Sequence, residues 1–207
     1  MDALTREVDP PTTVRDPHDI VRRHVADSLA ALEIDAVRVA ERVADLGSGA
    51  GFPGLVLAAA LPAARVDLLE SVTRKCAVIE RVARVAELDN ARAVPERAET
   101  WGLRRGRADY DLVTARALAS LPVLVEYAAP LLMIGGALVA WKGARVAEEE
   151  AAGDAAAVEV GLSSAVVCSV EPFVGAHSRH LHAFRKVAET PARFPRRPGM
   201  AVKRPLA

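Results

Sequence analysis

Four glycines fall within eight residues in the run Asp45-Leu46-Gly47-Ser48-Gly49-Ala50-Gly51-Phe52-Pro53-Gly54. Val43 to Leu46 is a short apolar run ahead of it. Leu55 to Leu61 behind it reads as a helix that Pro62 ends. Strand, glycine loop and helix form the context in which backbone is brought against a nucleotide or nucleoside. A plain turn accounts poorly for so many glycines, since each loses more chain entropy on ordering than other residues. A second acid, Glu70, ends the next strand-like run, Arg65 to Glu70, where a carboxylate can take both hydroxyls of a ribose. Arg116 follows a later strand-like run, Tyr110 to Thr114. A guanidinium fork at that edge suits guanine O6 or a phosphate.

Two ligand chemistries compete for the loop. Gly49-x-Gly51-x-x-Gly54 matches the dinucleotide fingerprint, whereas Gly47-x-Gly49-x-Gly51 after an acid matches the loop of S-adenosyl-L-methionine (SAM) methyltransferases. A pyrophosphate needs free backbone amides at the helix start. Asp45 would repel that anion, and Pro53 removes one donor. SAM carries no phosphate, and both its sulfonium and its ammonium are cationic, so Asp45 becomes an asset. The expectation is SAM, with Gly47, Gly49 and Gly51 against its methionine part and Glu70 at its ribose. Glu70 serves either ligand and does not choose between them.

The elements that must position these residues alternate. An arm, Leu4 to Arg15, precedes a helix opened by Asp16 and Pro17, with Ile20, Val21, Val25, Leu29 and Leu32 at helical spacing and an end near Leu32 to Ile34. After the second strand, Ser71 is expected to cap a helix with an apolar face of Val78, Ile79, Val82 and Val85. Ala91 to Ala98 is a third strand, Leu118 to Leu131 a helix interrupted at Pro122 and Pro130, and Gly135-Gly136 a turn before a fifth strand, Ala137 to Trp141. Arg145 to Val158 is a polar helix. Val166 to Val170 and His180 to Val187 are strands joined as a hairpin. The pattern predicts an α/β, Rossmann-like class I SAM-dependent methyltransferase fold. Its seven-stranded sheet is mostly parallel, with helices on both faces and a C-terminal β-hairpin. Residues 1–38 are expected as an N-terminal arm and helix, 39–188 as the methyltransferase domain, and 189–207 as a basic, proline-rich tail.

Composition removes other classes. With 27 Lys+Arg against 27 Asp+Glu in 207 residues, the chain is no uniformly basic nucleic-acid binder. Two distant cysteines make neither a disulfide framework nor a metal knuckle. No run of 18 apolar residues predicts a membrane span, and Met1 to Val14 lacks the apolar core of a signal peptide. A cytoplasmic monomer without metal is expected. Charge is nevertheless uneven: between Arg185 and Arg204 seven basic residues face only Glu189. Arg193, Arg196, Arg197, Lys203 and Arg204 are candidate phosphate contacts. The Glu148-Glu149-Glu150 run reads as a solvated helix face, Cys76 as structural, and Trp141 as core, with base stacking left open for Trp101 and Trp141.

Several motifs together resemble one family, RsmG (GidB), which methylates guanine N7 in 16S ribosomal RNA. They are Arg23-His24-x-x-Asp27-Ser28-Leu29, the glycine loop through Leu55, Leu69-Glu70-Ser71 with Arg74-Lys75, and Arg97-Ala98-Glu99. Thr114-Ala115-Arg116-Ala117, Lys142-Gly143, Arg185-Lys186, Thr190-Pro191 and Phe194-Pro195-Arg196-Arg197-Pro198-Gly199 complete the set. The resemblance runs from about Val14 to Leu206. Where the family has a Tyr-Asn-Leu-Thr-like stretch, this chain has Pro11-Thr12-Thr13-Val14. The resemblance implies that Gly47 and Phe52 hold the methionine and nucleoside parts of SAM, and that Ala98 and Glu99 contact its adenine. It places Arg116 at the methyl-transfer cleft, with His24, Asp27 and Lys142 close by. It implies 16S ribosomal RNA or the small ribosomal subunit as partner.

The chemistry agrees with what the sequence lacks. Guanine N7 offers a lone pair with no proton to lose, so transfer needs alignment rather than a general base. After the fourth strand stands Thr114-Ala115-Arg116, not the Asn/Asp-Pro-Pro-aromatic motif of exocyclic amine methylation. Neither cysteine sits as a cytosine C5 nucleophile. A small-molecule methyltransferase and a non-catalytic ribosome-associated factor are the competing readings.

Overall fold

The computed structural model describes residues 16–206; the arm expected over Leu4 to Arg15 and the Pro11–Val14 departure lie outside them. Asp16 accepts a hydrogen bond from the Asp19 amide at 3.0 Å, as an N-terminal cap does. The helical run continues as α1 (Pro17–Ile20), a π-helical stretch (Val21–Ala26), α2 (Asp27–Leu29) and a 3₁₀ turn (Ala30–Glu33). The π stretch changes the periodicity. Ile20 is buried, Val21 and Leu29 are exposed, and Asp27 and Ser28 turn inward instead. A further short helix, α3 (Asp35–Arg38), stands where the sequence reading ended the helix; Arg38 pairs with Asp35 across it.

Strands β1 (Arg42–Leu46), β2 (Arg65–Leu69), β3 (Ala91–Val94), β4 (Tyr110–Arg116), β5 (Leu132–Lys142), β6 (Val166–Val170) and β7 (Arg179–Arg185) form one sheet in the order β3-β2-β1-β4-β5-β7-β6. The first five are mutually parallel, while β7 runs antiparallel to β5 and β6. Alternate residues of the central strands enter opposite cores, because both faces are covered. Val43, Val66, Leu68, Leu112 and Val139 pack with α4 (Gly54–Ala60) and α5 (Thr73–Val85). Ala44, Leu46, Val113, Ala115 and Leu138 pack with α6 (Ala98–Gly102), α7 (Leu121–Ala128) and α8 (Ala147–Glu159).

Five local expectations are corrected. No side chain caps α5. Val72 precedes it, Glu70 Oε1 accepts the Val72 amide at 2.9 Å, and Ser71 takes no part. Its buried face is Cys76, Val78, Ile79 and Ala83, with Val85 out in solvent. The third strand stops at Val94, so Ala98 begins a helix. Pro122 sits in the first turn of α7, where its missing amide costs nothing, and so interrupts no helix. Gly135-Gly136 lies within β5, at the register slip where Tyr110 pairs with Leu132 but Leu112 pairs with Ala137.

The basic C-terminal segment does not run free. Phe194 is 1% exposed within the core under α7. A last helix, α9 (Met200–Lys203), follows Gly199, whose amide donates to Glu99 Oε1 at 2.9 Å. Arg196 grips Glu126 with two bonds, Nε at 2.8 Å and Nη2 at 2.5 Å. Glu126 is 1% exposed, so the fork neutralises a buried carboxylate. Arg196→Ala leaves that charge uncompensated and is expected to destabilise the fold by about 3 kcal/mol, read by urea denaturation. A loss below about 1 kcal/mol would mean that the pair is only a surface contact.

Candidate active site

The glycine loop leaves β1 over a buried carboxylate. Asp45 is fully enclosed; its Oδ2 accepts the Gly54 amide at 3.1 Å and its Oδ1 the Thr114 hydroxyl at 2.8 Å. Gly54 must lack a side chain, since a Cβ there would lie 2.7 Å from Leu68 and 2.9 Å from Asp45 Oδ2. Gly49 adopts φ +58°, a left-handed conformation that a β-branched residue resists. Its amide donates to Glu70 Oε2 at 3.1 Å. Four more loop amides are consumed internally. Gly47 and Ser48 donate to Leu69 O, and Gly51 and Phe52 donate to Ser48 O.

Two clefts open at the carboxyl ends of the strands. The first, about 440 Å³, is lined by Gly47, Glu70, Lys75, Ala98, Glu99 and Leu118, among others. The second, about 400 Å³, is lined by Arg23, His24, Asp27, Arg116, Lys142 and Arg179, among others. Both include Ala117 and Ala119, so the loop between β4 and α7 is their common wall. That wall is braced. Lys142 Nζ bonds Glu149 Oε1 at 2.6 Å and reaches Ala119 O at 3.4 Å, while Glu149 Oε1 also accepts the Leu121 amide at 2.9 Å.

Arg116 stands at the floor of the second cleft with its side chain 15% exposed. Its Nη1 donates to Asp27 Oδ2 at 2.9 Å and to Arg23 O at 3.2 Å. Its Nη2 lies 3.1 Å from His24 Nδ1. A guanidinium only donates, so His24 Nδ1 accepts and the imidazole there is neutral. Burial lowers the His24 pKa, and the Arg116 charge lowers it further. Phe52 stacks on His24 with centroids 4.7 Å apart, and Arg116 lies 5.8 Å over the Phe52 ring.

A family model described as rRNA small subunit methyltransferase G, GidB, matches residues 11–182. The chain belongs to the GidB family. Among its relatives, the ribosomal RNA small subunit methyltransferase G of Chloroflexus aggregans is 42% identical over 196 residues, spanning 94% of this chain and 82% of the relative. That of Deinococcus radiodurans is 41% identical over 199 residues, spanning 94% and 78%. Among solved structures, a SAM-dependent O-methyltransferase of Thermotoga maritima superposes with TM-score 0.62 at 17% identity, over 87% of this chain and 69% of that one. The SAM-dependent methyltransferase SibL, in its apo form, gives TM-score 0.64 at 15% identity, over 78% and 55%. The fold is the class I SAM-dependent methyltransferase fold, as the alternation of elements predicts, and the motif resemblance to GidB is borne out.

The GidB motifs separate into the two clefts. Gly47, Glu70, Ala98 and Glu99 line the first; His24, Arg116 and Lys142 line the second. Four residues sit differently from expectation. Asp45 touches no cleft and acts from beneath the loop. Phe52 packs against His24 on the second-cleft side. Glu99 is 4% exposed and already holds the tail through Gly199. Trp101 is buried with its indole N–H bonded to Tyr110 Oη at 2.8 Å, which leaves no face for a base; Trp141 is core, bonded to Asp27 O at 2.9 Å. The acidic run is likewise engaged, Glu149 with Lys142 and Glu150 with Arg145 and His182. Arg179 and His180 went unnoticed. They reach the second cleft because β7 pairs His180 with Lys142, a register that no sequence period reveals.

Burial pushes the Asp45 carboxyl up to about 6, against hydrogen bonds from Ser48, Thr114 and Gly54 that pull it down. An unfolded aspartate titrates near 3.8, so folding takes up a proton between these values. The resulting stability is fully present below about pH 4 and is lost as pH rises through 6. Asp45→Asn does not titrate. Its stability relative to the wild type is therefore expected to improve by on the order of 2 kcal/mol from pH 4 to pH 7. Urea melts across that range check it; a pH-independent difference would contradict the buried titration.

Proposed function

We propose that this chain transfers a methyl group from SAM to N7 of a guanine in 16S ribosomal RNA of the small subunit. The carrying observation is the pair of adjoining clefts: one offers a nucleoside site, the other a cationic acceptor site, and Arg116 stands in the second, next to Ala117 of the wall they share. The GidB name and the relatives' names support the RNA target.

The first cleft fits SAM better than a dinucleotide. Six loop amides, those of Gly47, Ser48, Gly49, Gly51, Phe52 and Gly54, are spent on Glu70, Asp45, Leu69 and Ser48 and cannot cradle a pyrophosphate. Two carboxylates at the loop favour a cationic ligand. Glu70 is 6% exposed and uses two of its acceptor positions on Gly49 and Val72, which leaves lone pairs for ribose hydroxyls. Gly47 and Ala98 complete the walls. When bound, SAM supplies an electrophilic methyl on a sulfonium.

The second cleft aligns the acceptor. Arg23, Arg116, Lys142 and Arg179 surround it with positive charge, which suits guanine O6 and its phosphates and leaves the N7 lone pair for the methyl. No residue need take a proton. His24 has its Nδ1 lone pair occupied by Arg116, and Lys142 is held by Glu149; both position the cleft rather than titrate in it. The 39–188 unit carries the SAM cleft, the helical run before it adds Arg23, His24 and Asp27 to the acceptor cleft, and the protein acts as a cytoplasmic monomer. No helix among the described residues is long and apolar enough to cross a membrane, and those residues form no metal-binding cluster.

Tritium transfer from labelled SAM onto ribosomal RNA tests the function; label on small molecules alone, or none, would sink it. Arg116→Ala is expected to lower turnover by about 2 kcal/mol or more while SAM affinity by calorimetry stays within about threefold. An equal fall in SAM affinity would place Arg116 in the cofactor site instead.

Of the five tail cations, Arg196 is locked on Glu126 and Arg193 reaches Glu159 at 3.1 Å, whereas Arg197, Lys203 and Arg204 are exposed. Reversing the last three is expected to reduce the log–log salt slope of RNA binding by about 0.7–0.9 per lost phosphate contact. An unchanged slope in a folded variant would remove the tail from the RNA surface.

A further inference from the structure

The second cleft has one carboxylate among its described lining residues, Asp27, set among four cations. Asp27 is 7% exposed. Its Oδ2 is bonded to Arg116, but its Oδ1 is buried and has no hydrogen-bond partner. Arg179 Nε lies 3.9 Å from that oxygen, beyond hydrogen-bond reach, on a side chain that is 47% exposed. Asp27 cannot turn out to water, because its carbonyl is tied to Trp141 Nε1 at 2.9 Å and its other oxygen to Arg116. A buried carboxylate oxygen without a donor is destabilising. Such an atom at a substrate cleft calls for a donor on the substrate.

Guanine matches this arrangement from both sides. Its O6 is an acceptor and suits the cations, while its N7 lone pair stays free for the methyl; its Watson–Crick edge carries two donors, N1–H and the N2 amine. A carboxylate accepts both, and it repels the lone pair that adenine N1 or cytosine N3 presents in the same place. The geometry points to Asp27 as the residue that selects guanine, its Oδ1 accepting from the N1–H and N2 amine edge while the exposed Arg179 yields that position to the base. This rests on the reading of the second cleft as a guanine site.

The nucleotide that accepts the methyl is first mapped with tritiated SAM. Small-subunit RNA is then rebuilt with guanosine or inosine at that position. Inosine keeps N7, O6 and N1–H and lacks only the N2 amine. The wild type is expected to favour guanosine by about tenfold in kcat/KM and in affinity by fluorescence anisotropy. Asp27→Asn, which keeps an acceptor for Arg116, is expected to shrink that preference to within about twofold with SAM affinity unchanged. The anisotropy arm reports even if turnover is lost through movement of Arg116. Asp27→Ser serves as a second variant if the first does not fold. Arg179→Gln is expected to retain the preference. Equal use of guanosine and inosine by the wild type, or a preference that survives both Asp27 variants, would overturn the assignment. Absence of methyl transfer to any RNA by the wild type would instead overturn the function on which it rests.

Discussion

The buried Asp45 carboxylate is the constraint on which the two clefts depend. It sits at the carboxyl end of β1, in the middle of the sheet, and binds one group from each side: the Gly54 amide at the start of α4 and the Thr114 hydroxyl on β4. The first bond sets how the glycine loop closes over the strand. The second fixes the end of β4, two residues before Arg116. Burying the charge is unfavourable, as its raised pKa reflects, and the hydrogen bonds offset that only in part. The result is rigidity where a loop and a strand end must keep one spacing. A side chain at Gly54 would break it by contact with both Leu68 and Asp45.

The acceptor side shows a second kind of coupling. Its residues come from the N-terminal helical run, from β4, from the end of β5 and from β7, segments remote in sequence. Asp27 and Arg116 bind one another directly, and Trp141 ties the Asp27 backbone to β5. The π-helical stretch Val21–Ala26 sets which residues of the first helical run face the sheet. His24 and Asp27 both meet Arg116, since residues three apart lie on one helical face. The run leaves Val21 and Leu29 exposed and turns Asp27 and Ser28 inward, so regular apolar burial gives way to a polar cluster at the cleft.

What was legible in the sequence follows from where local rules dominate. β1 and β2 are short, apolar and buried on both faces, and their flanking glycines and prolines mark their ends, so their extents are found nearly to the residue. The glycine loop reads clearly because few local structures other than a ligand loop call for such a concentration of glycine. Failures occur where tertiary contact decides. Val85 matches the helical period of α5 yet faces water, while small Cys76 and Ala83 are buried, since close packing on β2 and β3 favours small side chains. β5 extends back to Leu132 through two glycines, because a register slip against β4 absorbs them. Glu149 and Glu150 look like part of a solvated run, but each meets a partner from another element.

Charge shows most plainly how folding redistributes what the sequence concentrates. The chain has equal numbers of acids and bases, and its basic end suggests a free polycationic tail. Folding instead commits Arg196 to Glu126 and buries Phe194, so the proline-rich segment is clamped along α7 and α9 reaches the first cleft through Val202. Arg23, Arg116, Lys142 and Arg179, scattered over 157 positions, meanwhile converge on the second cleft. Two positive regions result: exposed tail cations, and the set lining the second cleft. The first can attract phosphates without regard to base, as counterion release requires. The second includes a buried carboxylate held by Arg116, so it can discriminate. Attraction and selection suit different residues, because an exposed, solvated cation binds any phosphate, whereas reading a base needs donors and acceptors whose positions are fixed before it arrives.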